Sequence, residues 1–239
     1  YDKDENGGCT NYGAKYSIAA TSDFNFGSVG GNSATGGSFC IEFWYWYDSP
    51  SNQEFTLLDF RDGSNQGIRC YRKSDNKIYW QYGTTSMSDL IYDSQAHVCQ
   101  KWTHVALSYQ ASNGYFRLYI NGNYRNWSVT NVNLAWNAPM YINHSYDGTN
   151  YAGNVMMGQI RIVKGDRVYR NLFIPPSGPL TKTGGTYKVN TGRPDGVYSP
   201  EQVNGANTNI TASHTKLLCN WNTANWYNTA GAWPQWGEE

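Results

Sequence analysis

The feature that most constrains the fold is the segment 39–47, which reads FCIEFWYWY. Successive side chains of a β-strand point to opposite faces, so this segment has two distinct faces. The first is apolar and carries Phe39, Ile41, Phe43 and Tyr45. The second is aromatic but not purely apolar and carries Cys40, Glu42, Trp44 and Trp46. The alternation predicts a strand with its first face in a hydrophobic core.

Many other short segments show the same period of two. Strands are predicted over residues 55–60, 67–72, 77–82, 102–109, 139–143 and 155–163. The clearest signal is a β-hairpin over 115–129, where Asn121-Gly122 supplies the two positive-φ positions of a tight turn. No stretch of 12 or more residues shows a helical period. Short strands separated by regular turn signals predict an all-β sandwich or barrel.

Alternating apolar positions on four of these strands predict one core shared between two sheets. Its predicted members are Ile41, Phe43, Val105, Leu107, Leu118, Ile120, Ile160 and Ile162. Cys40, which lies in a strongly apolar strand, is expected to be a small buried hydrophobe.

The charge composition argues against several classes of partner. Lys plus Arg number 18 and Asp plus Glu number 18, and only 15% of residues are charged, against a usual ~25%. Nucleic-acid binding and docking on an anionic membrane both need clustered cations, so neither is predicted. No run of 18 apolar residues occurs, and membrane insertion is not expected. A polar, nearly neutral surface suits a subunit of an assembly, or a protein that contacts neutral polar matter such as glycans.

The order of these segments resembles the laminin G-like, or concanavalin A-like, jelly-roll sandwiches. The resemblance starts with YSIAATSDFNFG at 16–27 and FCIEFWYWY, and continues with FTLLDFRDG at 55–63. Its most specific part is KWTHVALSYQASNGYFRLYINGN at 101–123, and its last part is VMMGQIRIVKGDRVYRNLFIPPSGPL at 155–180. The resemblance implies a jelly-roll β-sandwich over residues 1–180, followed by a loop-rich C-terminal extension over residues 181–239.

The end of this region resembles a narrower subgroup, which is common in tailed phages, especially marine ones, and in bacterial surface proteins. The residues that carry it are R-x-Y…F-x-P-P-x-x-P-L-T at 167–181 and T-K-L-L at 215–218. The subgroup implies a virion surface protein, either a structural or decoration protein or a tail-fibre component. Its expected partners are other virion or surface-assembly subunits, in a homo-oligomer located on a virion surface or outside the cell.

Six aromatic residues are candidates for weak glycan adhesion, because planar rings stack on sugar faces while polar groups take the hydroxyls. They are Trp44, Trp46, Trp80, Tyr82, Tyr119 and Trp127. The alternative for each is a place in the core or in a subunit interface, where Tyr and Trp are also enriched.

The best candidate for a metal site is the polar loop 143–150, with Asp147 and Asn150 as Ca²⁺ ligands. Many relatives in the resembled family hold Ca²⁺ at a rim loop through Asp or Asn side chains and carbonyl oxygens. The alternative is a plain polar turn, which Asp-Gly also favours. No other cofactor is predicted, and folding is not expected to need a metal.

Catalysis is not expected. Glycoside hydrolases on this superfold need two carboxylates across a cleft and often carry them as E-x-D-x-x-E on one strand, a motif that does not occur here. Asp59 and Asp62 flank Arg61, and an ion pair in a turn is expected there rather than an acid/base pair. The four histidines show no metal spacing, and His104 is expected to be structural.

The C-terminal extension is predicted to have two parts. Residues 181–214 are rich in Thr, Gly, Asn and Ser and are expected to form an extended arm. Residues 215–239 regain apolar character, and exposed tryptophans there would be a costly apolar patch. This tail is expected to dock on the sandwich or on a neighbouring subunit, and deletion of 181–239 is expected to leave a folded sandwich that no longer assembles. The tail tryptophans are Trp221, Trp226, Trp233 and Trp236.

Three functions therefore remain open from the sequence. The first is a non-catalytic virion surface protein that makes assembly contacts and adheres weakly to glycans. The second is a secreted or cell-surface lectin that binds glycans through a Ca²⁺ rim loop, and the least favoured is a glycan-cleaving enzyme.

Overall fold

Two antiparallel β-sheets packed face to face form a jelly-roll sandwich, as predicted. The computed structural model describes residues 13–30, 36–49, 52–64, 66–84, 86–97, 99–135, 137–152, 154–176, 180–184, 204–206, 209–220 and 225–228. Within these ranges the helical structure is confined to a 3₁₀ turn, Ser22–Phe24. No helix of the described residues is long and apolar enough to cross a membrane.

Sheet A takes its strands from the first two thirds of the chain. In spatial order they are β1 (Tyr16–Thr21), β12 (Ala138–Ile142), β4 (Phe55–Asp59), β5 (Gly67–Arg72), β6 (Ile78–Gly83) and β7 (Met87–Tyr92). The sequence pattern predicted four of these strands to within one or two residues at each end. It did not predict β7, whose residues MSDLIY do not alternate.

Sheet B contains the predicted strand 39–47 near its centre. In spatial order its strands are β10 (Asn123–Ser128), β9 (Tyr115–Ile120), β8 (Thr103–Gln110), β3 (Phe39–Tyr47), β13 (Val155–Lys164), β16 (Thr215–Asn220) and β17 (Asn225–Asn228). The predicted hairpin is confirmed, since β9 and β10 pair around Asn121 and Gly122, whose φ angles are 50° and 75°.

Two short strand pairs lie outside the main sheets. They are β2 (Gly27–Val29) with β11 (Val132–Leu134), and β14 (Tyr169–Phe173) with β15 (Asn204–Ala206). The second pair belongs to a stretch that leaves sheet B after β13 and returns to it at β16.

The main core lies between the two sheets. All eight residues predicted for it are members and are fully buried. Burying alternate apolar side chains of both sheets is the main stabilising contribution in such a sandwich. The predicted inner face of β3 is confirmed, because Phe39, Ile41, Phe43 and Tyr45 all belong to this core.

The sandwich also takes a strand from the region predicted as the C-terminal extension. β16 pairs with β13, and its Leu217 and Cys219 side chains enter the main core. The predicted boundary at residue 180 therefore separates β16 from the sheet to which it belongs. Of the tail tryptophans, Trp226 lies in β17, which pairs with β16, and Trp221, Trp233 and Trp236 lie outside the described residues.

A second, smaller core lies on the outer face of sheet B. The chain after β13, residues 165–176 and 180–184, folds back over that face, and we call it the covering segment. Its Tyr169 and Phe173 rings stack with centroids 3.5 Å apart and pack against outward-facing residues of the sheet. The members of this second core are Cys40, Ala106, Tyr119, Val163, Val168, Tyr169, Phe173 and Ile210. Cys40 is thus a buried hydrophobe, as predicted, and carries a free thiol.

Candidate functional site

Two rows of side chains cross the outer face of sheet B, because its strands are in direct register there. The first row consists of Arg161, Glu42, Ala106, Tyr119 and Tyr124, from β13 to β10. The second row consists of Val163, Cys40, Ser108, Arg117 and Trp127. Directly opposed side chains on one face of an antiparallel pair have Cβ atoms only ~4.5–5.5 Å apart. On β9 and β10 the two rows therefore bring three aromatic rings and one arginine together.

At that end of the rows, the sheet and the covering segment enclose a cleft of about 450 Å³. The sheet contributes Arg117, Tyr119 and Tyr124, and β14 contributes Arg170, Asn171 and Leu172. Clefts that bind small ligands usually measure ~300–1,000 Å³ and combine aromatic walls with a few polar groups. The cleft has that size and that composition.

The aromatic residues in and beside the cleft include one buried ring and two exposed rings, and the exposed rings could contact a ligand. Tyr119 is 1% exposed, and its ring centroid lies 6.0 Å from that of Tyr124 and 5.5 Å from that of Phe173. Tyr124 is 43% exposed above it, and Trp127, the cross-strand partner of Arg117, is 54% exposed. The Trp127 ring also contacts Tyr115, at 5.4 Å between centroids. The exposed Tyr124 ring thus contacts the buried Tyr119, and the exposed Trp127 ring contacts the half-buried Tyr115.

Positive charge is concentrated at the cleft. Arg117 Nη1 donates to the carbonyl oxygen of Arg170 at 3.1 Å, and Arg170 Nη2 lies 3.5 Å from an Asp166 carboxylate oxygen. Burial lowers the pKa of Arg167, and the charges of Arg117 and Arg170 lower it further. Arg167 therefore lies within electrostatic range of both Arg117 and Arg170.

A buried ionic network holds the covering segment to the sheet beside the cleft. The Glu42 carboxylate accepts from Arg161 Nε at 2.6 Å, from the Tyr169 hydroxyl at 2.5 Å, and lies 3.0 Å from His104 Nε2. Burial alone would raise the pKa of Glu42, but the Arg161 charge and the hydrogen bonds from His104 and Tyr169 hold it at about 2. Glu42, His104 and Arg161 are all fully buried. The carboxylate is thus a structural anion that ties β14 to β3 and β13.

Arg161 and the hairpin turn fix the covering segment at two further points. Arg161 Nη1 donates to the carbonyl oxygens of Thr181 and Thr183, at 2.9 and 3.3 Å. The Phe173 amide donates to the carbonyl oxygen of Gly122 at 3.1 Å. A Cβ at Gly122 would lie 1.8 Å from the Phe173 carbonyl oxygen, so this close approach requires glycine. These contacts set the position of the β14 wall of the cleft.

The structure divides the six aromatic residues predicted for glycan contact into three groups. Trp80 and Tyr82 lie on the inner face of β6, where Trp80 is fully buried and Tyr82 packs against the main core. Both therefore take the alternative place in or against the core, because Tyr79 and Gln81 occupy the outward positions of that strand. The second group is at the cleft. Tyr119 faces outward and lines the cleft, but the covering segment leaves it only 1% exposed. Trp127 lies beside the cleft.

Trp44 and Trp46 form the third group, on the part of sheet B nearest the end of β3. Both are half-buried. Trp46 contacts Trp102, with centroids 5.9 Å apart, and Trp44 contacts His104 at 5.1 Å. A Cβ at Gly158 would lie 2.8 Å from Trp44 Cβ and 3.1 Å from the Trp102 ring, so glycine lets these rings lie close to β13. They form a cluster separate from the residues that line the cleft.

The predicted Ca²⁺ loop is internally bonded. Asp147 Oδ1 accepts from the Thr149 amide at 3.0 Å and from its hydroxyl at 2.7 Å, and the Thr149 hydroxyl is the main reason that the pKa of Asp147 is lowered. Asn150 has a φ of 49°, and its side-chain amide lies 3.5 Å from the Ser145 hydroxyl. Among the residues that the structure describes, no group of three or more His, Cys, Asp or Glu side chains is gathered as metal ligands would be. Calcium binding by this loop stays a prediction.

Asp59 and Arg61 form the ion pair expected from the sequence. Arg61 Nε and Nη2 donate to the two Asp59 carboxylate oxygens at 2.8 and 2.7 Å, and both residues are buried. The Tyr146 amide donates to the same carboxylate at 3.1 Å. The pair therefore anchors the predicted Ca²⁺ loop to β4.

The outer face of sheet A carries a second aromatic surface, which the sequence analysis did not identify. Tyr79 and Tyr92 stack with centroids 5.1 Å apart, and Tyr71 adjoins Tyr79 at 5.7 Å. Lys73 Nζ lies 4.4 Å from the Tyr79 centroid and Arg69 Cζ lies 4.5 Å from the Tyr71 centroid. These cations cover two of the three rings, since Tyr71 and Tyr79 are only 6% and 8% exposed, whereas Tyr92 is 42% exposed. This face offers less aromatic surface to a ligand than the cleft does.

Five residues of the cleft were not among the sequence candidates. Arg117 alternates with the core residues Phe116 and Leu118 on β9, and the hairpin register places Tyr124 opposite Tyr119, so the predicted hairpin could have identified both. Arg170, Asn171 and Leu172 belong to β14, where consecutive residues are exposed and no alternation exists. No local pattern indicates that β14 folds back over sheet B.

Comparison with known proteins gives the same fold. The family model described as the concanavalin A-like lectin/glucanases superfamily matches residues 20–167. No curated protein matches the chain. Among solved structures, the native heptameric SAP-like pentraxin from Limulus polyphemus is 11% identical over 57% of this chain and 65% of its own, with a TM-score of 0.40.

Two further similar structures are the receptor binding domain of botulinum neurotoxin type G and the sialidase of Trypanosoma rangeli. The toxin domain is 17% identical over 67% of this chain and 43% of its own, with a TM-score of 0.41. The sialidase is 16% identical over 55% of this chain and 21% of its own, with a TM-score of 0.40. The chain thus spans less than two thirds of each of these structures. By its family model, the chain belongs to the concanavalin A-like lectin/glucanases superfamily.

Proposed function

We propose that this chain is a non-catalytic surface module that binds glycans in the cleft between β9, β10 and β14. The observation that carries the proposal is the combination of exposed Tyr124 and Trp127 rings with the arginine and amide side chains of the cleft. Sugar rings stack on aromatic faces, and their hydroxyls bond to groups of this kind. Membership of a superfamily that includes lectins agrees with this assignment.

The biological setting that we propose is a surface assembly, with a virion surface or tail fibre as the first choice. The support is the sequence resemblance over 167–181 and 215–218, together with a net charge of zero. A nearly neutral surface favours association over solubility. In this setting the sandwich displays the cleft, while the chain after β16 makes contacts with neighbouring subunits.

The structural contacts of two buried carboxylates, those of Glu42 and Asp59, support the proposal of a non-catalytic role. The Glu42 carboxylate contacts Arg161, His104 and Tyr169, and the two Asp59 carboxylate oxygens accept from Nε and Nη2 of Arg61. A hydrolase needs one carboxylic acid that gives up its proton and one carboxylate that faces the sugar or a water. Neither Glu42 nor Asp59 has a position that could serve in that way.

The test is direct binding to a panel of immobilised oligosaccharides, followed by calorimetric titration with the saccharide that binds best. Trp127→Ala and Tyr124→Ala are each expected to weaken binding by about tenfold or more, because aromatic anchors contribute strongly to recognition. The matched control is Tyr151→Ala, which removes an aromatic side chain that is 47% exposed and lies outside the cleft.

The melting temperatures of all three variants should match that of the unsubstituted chain, since exposed side chains contribute little to stability. Equal loss of binding in Tyr151→Ala and Trp127→Ala would contradict a role for the cleft. Absence of binding to every saccharide would contradict the proposed function itself.

A further inference from the structure

We infer that the cleft selects saccharides that carry a negative charge, such as a uronate carboxylate or a sulfate ester. The inference rests on the proposed glycan-binding function and names the chemical class of its ligand. It follows from the arginines gathered around one cavity in a chain with no net charge.

The first step concerns the balance of charge at the cleft. Arg117 and Arg170 line it, and Arg167 lies close enough for their charges to lower its pKa. Arginine stays protonated at neutral pH. The Asp166 carboxylate lies 3.5 Å from Arg170 and offsets part of its charge. Among the described residues that line the cleft, Arg117 and Arg170 are basic and none is acidic, whereas the whole chain has 18 basic and 18 acidic residues.

The second step concerns the geometry of the donors. A guanidinium has five N–H donors in a fixed plane. One of those of Arg117 is used on the Arg170 carbonyl oxygen, an interaction that holds its guanidinium at the β14 wall of the cleft. The side chain of Arg170 is 48% exposed. Two arginines from opposite walls can therefore donate to one anionic group, and arginine pairs with carboxylates and other oxyanions through paired, charge-assisted hydrogen bonds.

The third step concerns the class of ligand. A small inorganic anion could bind to the arginines alone and would not require the aromatic rings. A nucleic acid binds to a long basic surface, which a neutral chain with 15% charged residues does not offer. The cleft instead places Tyr124 and Trp127, both exposed, beside the arginines. A ring face next to an anion-binding group fits a sugar ring that bears an acidic substituent.

The experiment compares charged and neutral forms of the same saccharide on the full chain by calorimetry at low salt. One pair is a galacturonate trisaccharide and its methyl ester, which removes the carboxylate charges. The other pair is a sulfated galactose trisaccharide and its desulfated form. We expect at least one charged form to bind about tenfold more tightly than its neutral form, and to lose most of that advantage at high salt. The pair with the larger ratio identifies the anion.

Substitutions of the cleft arginines then test whether the preference for the charged saccharide arises in the cleft. Arg170→Gln should reduce the affinity for the charged form about tenfold and the affinity for the neutral form by much less, because the glutamine amide can still donate to a hydroxyl but carries no charge. Arg170 is exposed, so the variant should fold, and Arg117→Gln provides a second variant from the opposite wall. The matched control is Lys101→Gln, which removes one exposed positive charge outside the cleft and should change neither affinity.

Equal affinity for charged and neutral forms, with Trp127→Ala weakening both, would overturn the inference while leaving the proposed function intact. Tight binding of a charged form that is insensitive to both arginine variants would also overturn it, because the anion would then lie elsewhere. Absence of binding to all saccharides, including the immobilised panel, would overturn the proposed function and the inference together.

Discussion

At Glu42, burial and pairing act in opposite directions on one carboxyl group. Burial raises its pKa, and the charge and hydrogen bonds around it lower the pKa from 4.5 to about 2. The folded state therefore binds the proton less tightly than the unfolded chain does. Its contribution to stability is fully present above pH 4.5 and is lost as the pH falls toward about 2.

Glu42→Gln should consequently change both the stability and its pH dependence. At pH 7 the free energy of unfolding should fall by about 3–5 kcal/mol, because Arg161 is left buried without its charged partner. Between pH 4.5 and about 2, the decline of stability should be shallower than in the unsubstituted chain. Urea unfolding across this pH range measures both effects.

Glu54→Gln serves as the control for that experiment, because Glu54 is exposed. Substitutions of exposed residues usually change stability by only about 0.5 kcal/mol. An unchanged pH slope in Glu42→Gln would contradict the role assigned to this carboxylate.

Alanine substitutions at Gly122 and Gly148 distinguish the cost of backbone strain from the cost of a steric clash with a neighbouring segment. Both have positive φ, 75° and 78°, so alanine at either position should cost about 1 kcal/mol or more. Only Gly122 approaches another segment, since its added Cβ would lie 1.8 Å from the Phe173 carbonyl oxygen, whereas at Gly148 nothing lies within 4 Å. Gly122→Ala should therefore lower the melting temperature more than Gly148→Ala and speed amide exchange in β14. Equal effects of the two substitutions would argue against the contact.

At the scale of elements, the sequence was informative wherever side chains alternate and uninformative where they do not. The strand over Phe39–Tyr47 and the hairpin around Asn121-Gly122 were predicted because their patterns are local. β14 was missed because its middle residues are all exposed, and it is held by distant partners such as Glu42 and Gly122. Of the candidate site, Tyr119 and Trp127 were identified, but the arginine wall was not, since it depends on how β14 folds back.

Because β16 belongs to sheet B, the expected effect of deleting residues 181–239 is different from the one expected from the sequence. Deletion of 181–239 would remove Leu217 and Cys219 from the main core and the strand that pairs with β13. Loss of folding, and not only of assembly, is now the expected outcome.

Leu217→Ala tests this placement of β16 without truncation. Because the side chain is 1% exposed in the main core, its removal should cost about 2–5 kcal/mol in free energy of unfolding. The control is Lys216→Ala on the same strand, whose side chain is half-buried. A loss below about 1 kcal/mol for Leu217→Ala would place that side chain outside the core.

At the scale of the whole molecule, the sandwich has two outer faces, and the cleft that we propose as the glycan site lies on the outer face of sheet B. The main core holds the two sheets together, the covering segment closes most of the outer face of sheet B, and the cleft remains at the β9–β10 end. Binding sites built on strands are held more rigidly than sites built on loops. The glycan site that we propose is therefore built on strands of sheet B.

Metal removal tests the alternative of a Ca²⁺-dependent lectin. The loop that contains Asp147 is held by Thr149, Ser145 and the Asp59–Arg61 pair, and a large core supports the fold. EDTA should therefore leave the melting temperature unchanged, and added Ca²⁺ should not raise it. A clear rise with Ca²⁺ would show that the native state binds the ion, and would transfer the glycan site to the loop 143–150.

The most direct test of the central claim is a crystal structure of the chain with the oligosaccharide that binds best. We expect a sugar ring against Tyr124 or Trp127, with its polar or acidic substituents bonded to Arg117, Arg170 or Asn171. A saccharide bound instead at the loop 143–150, or against Tyr92 on the outer face of sheet A, would contradict the assignment of the cleft.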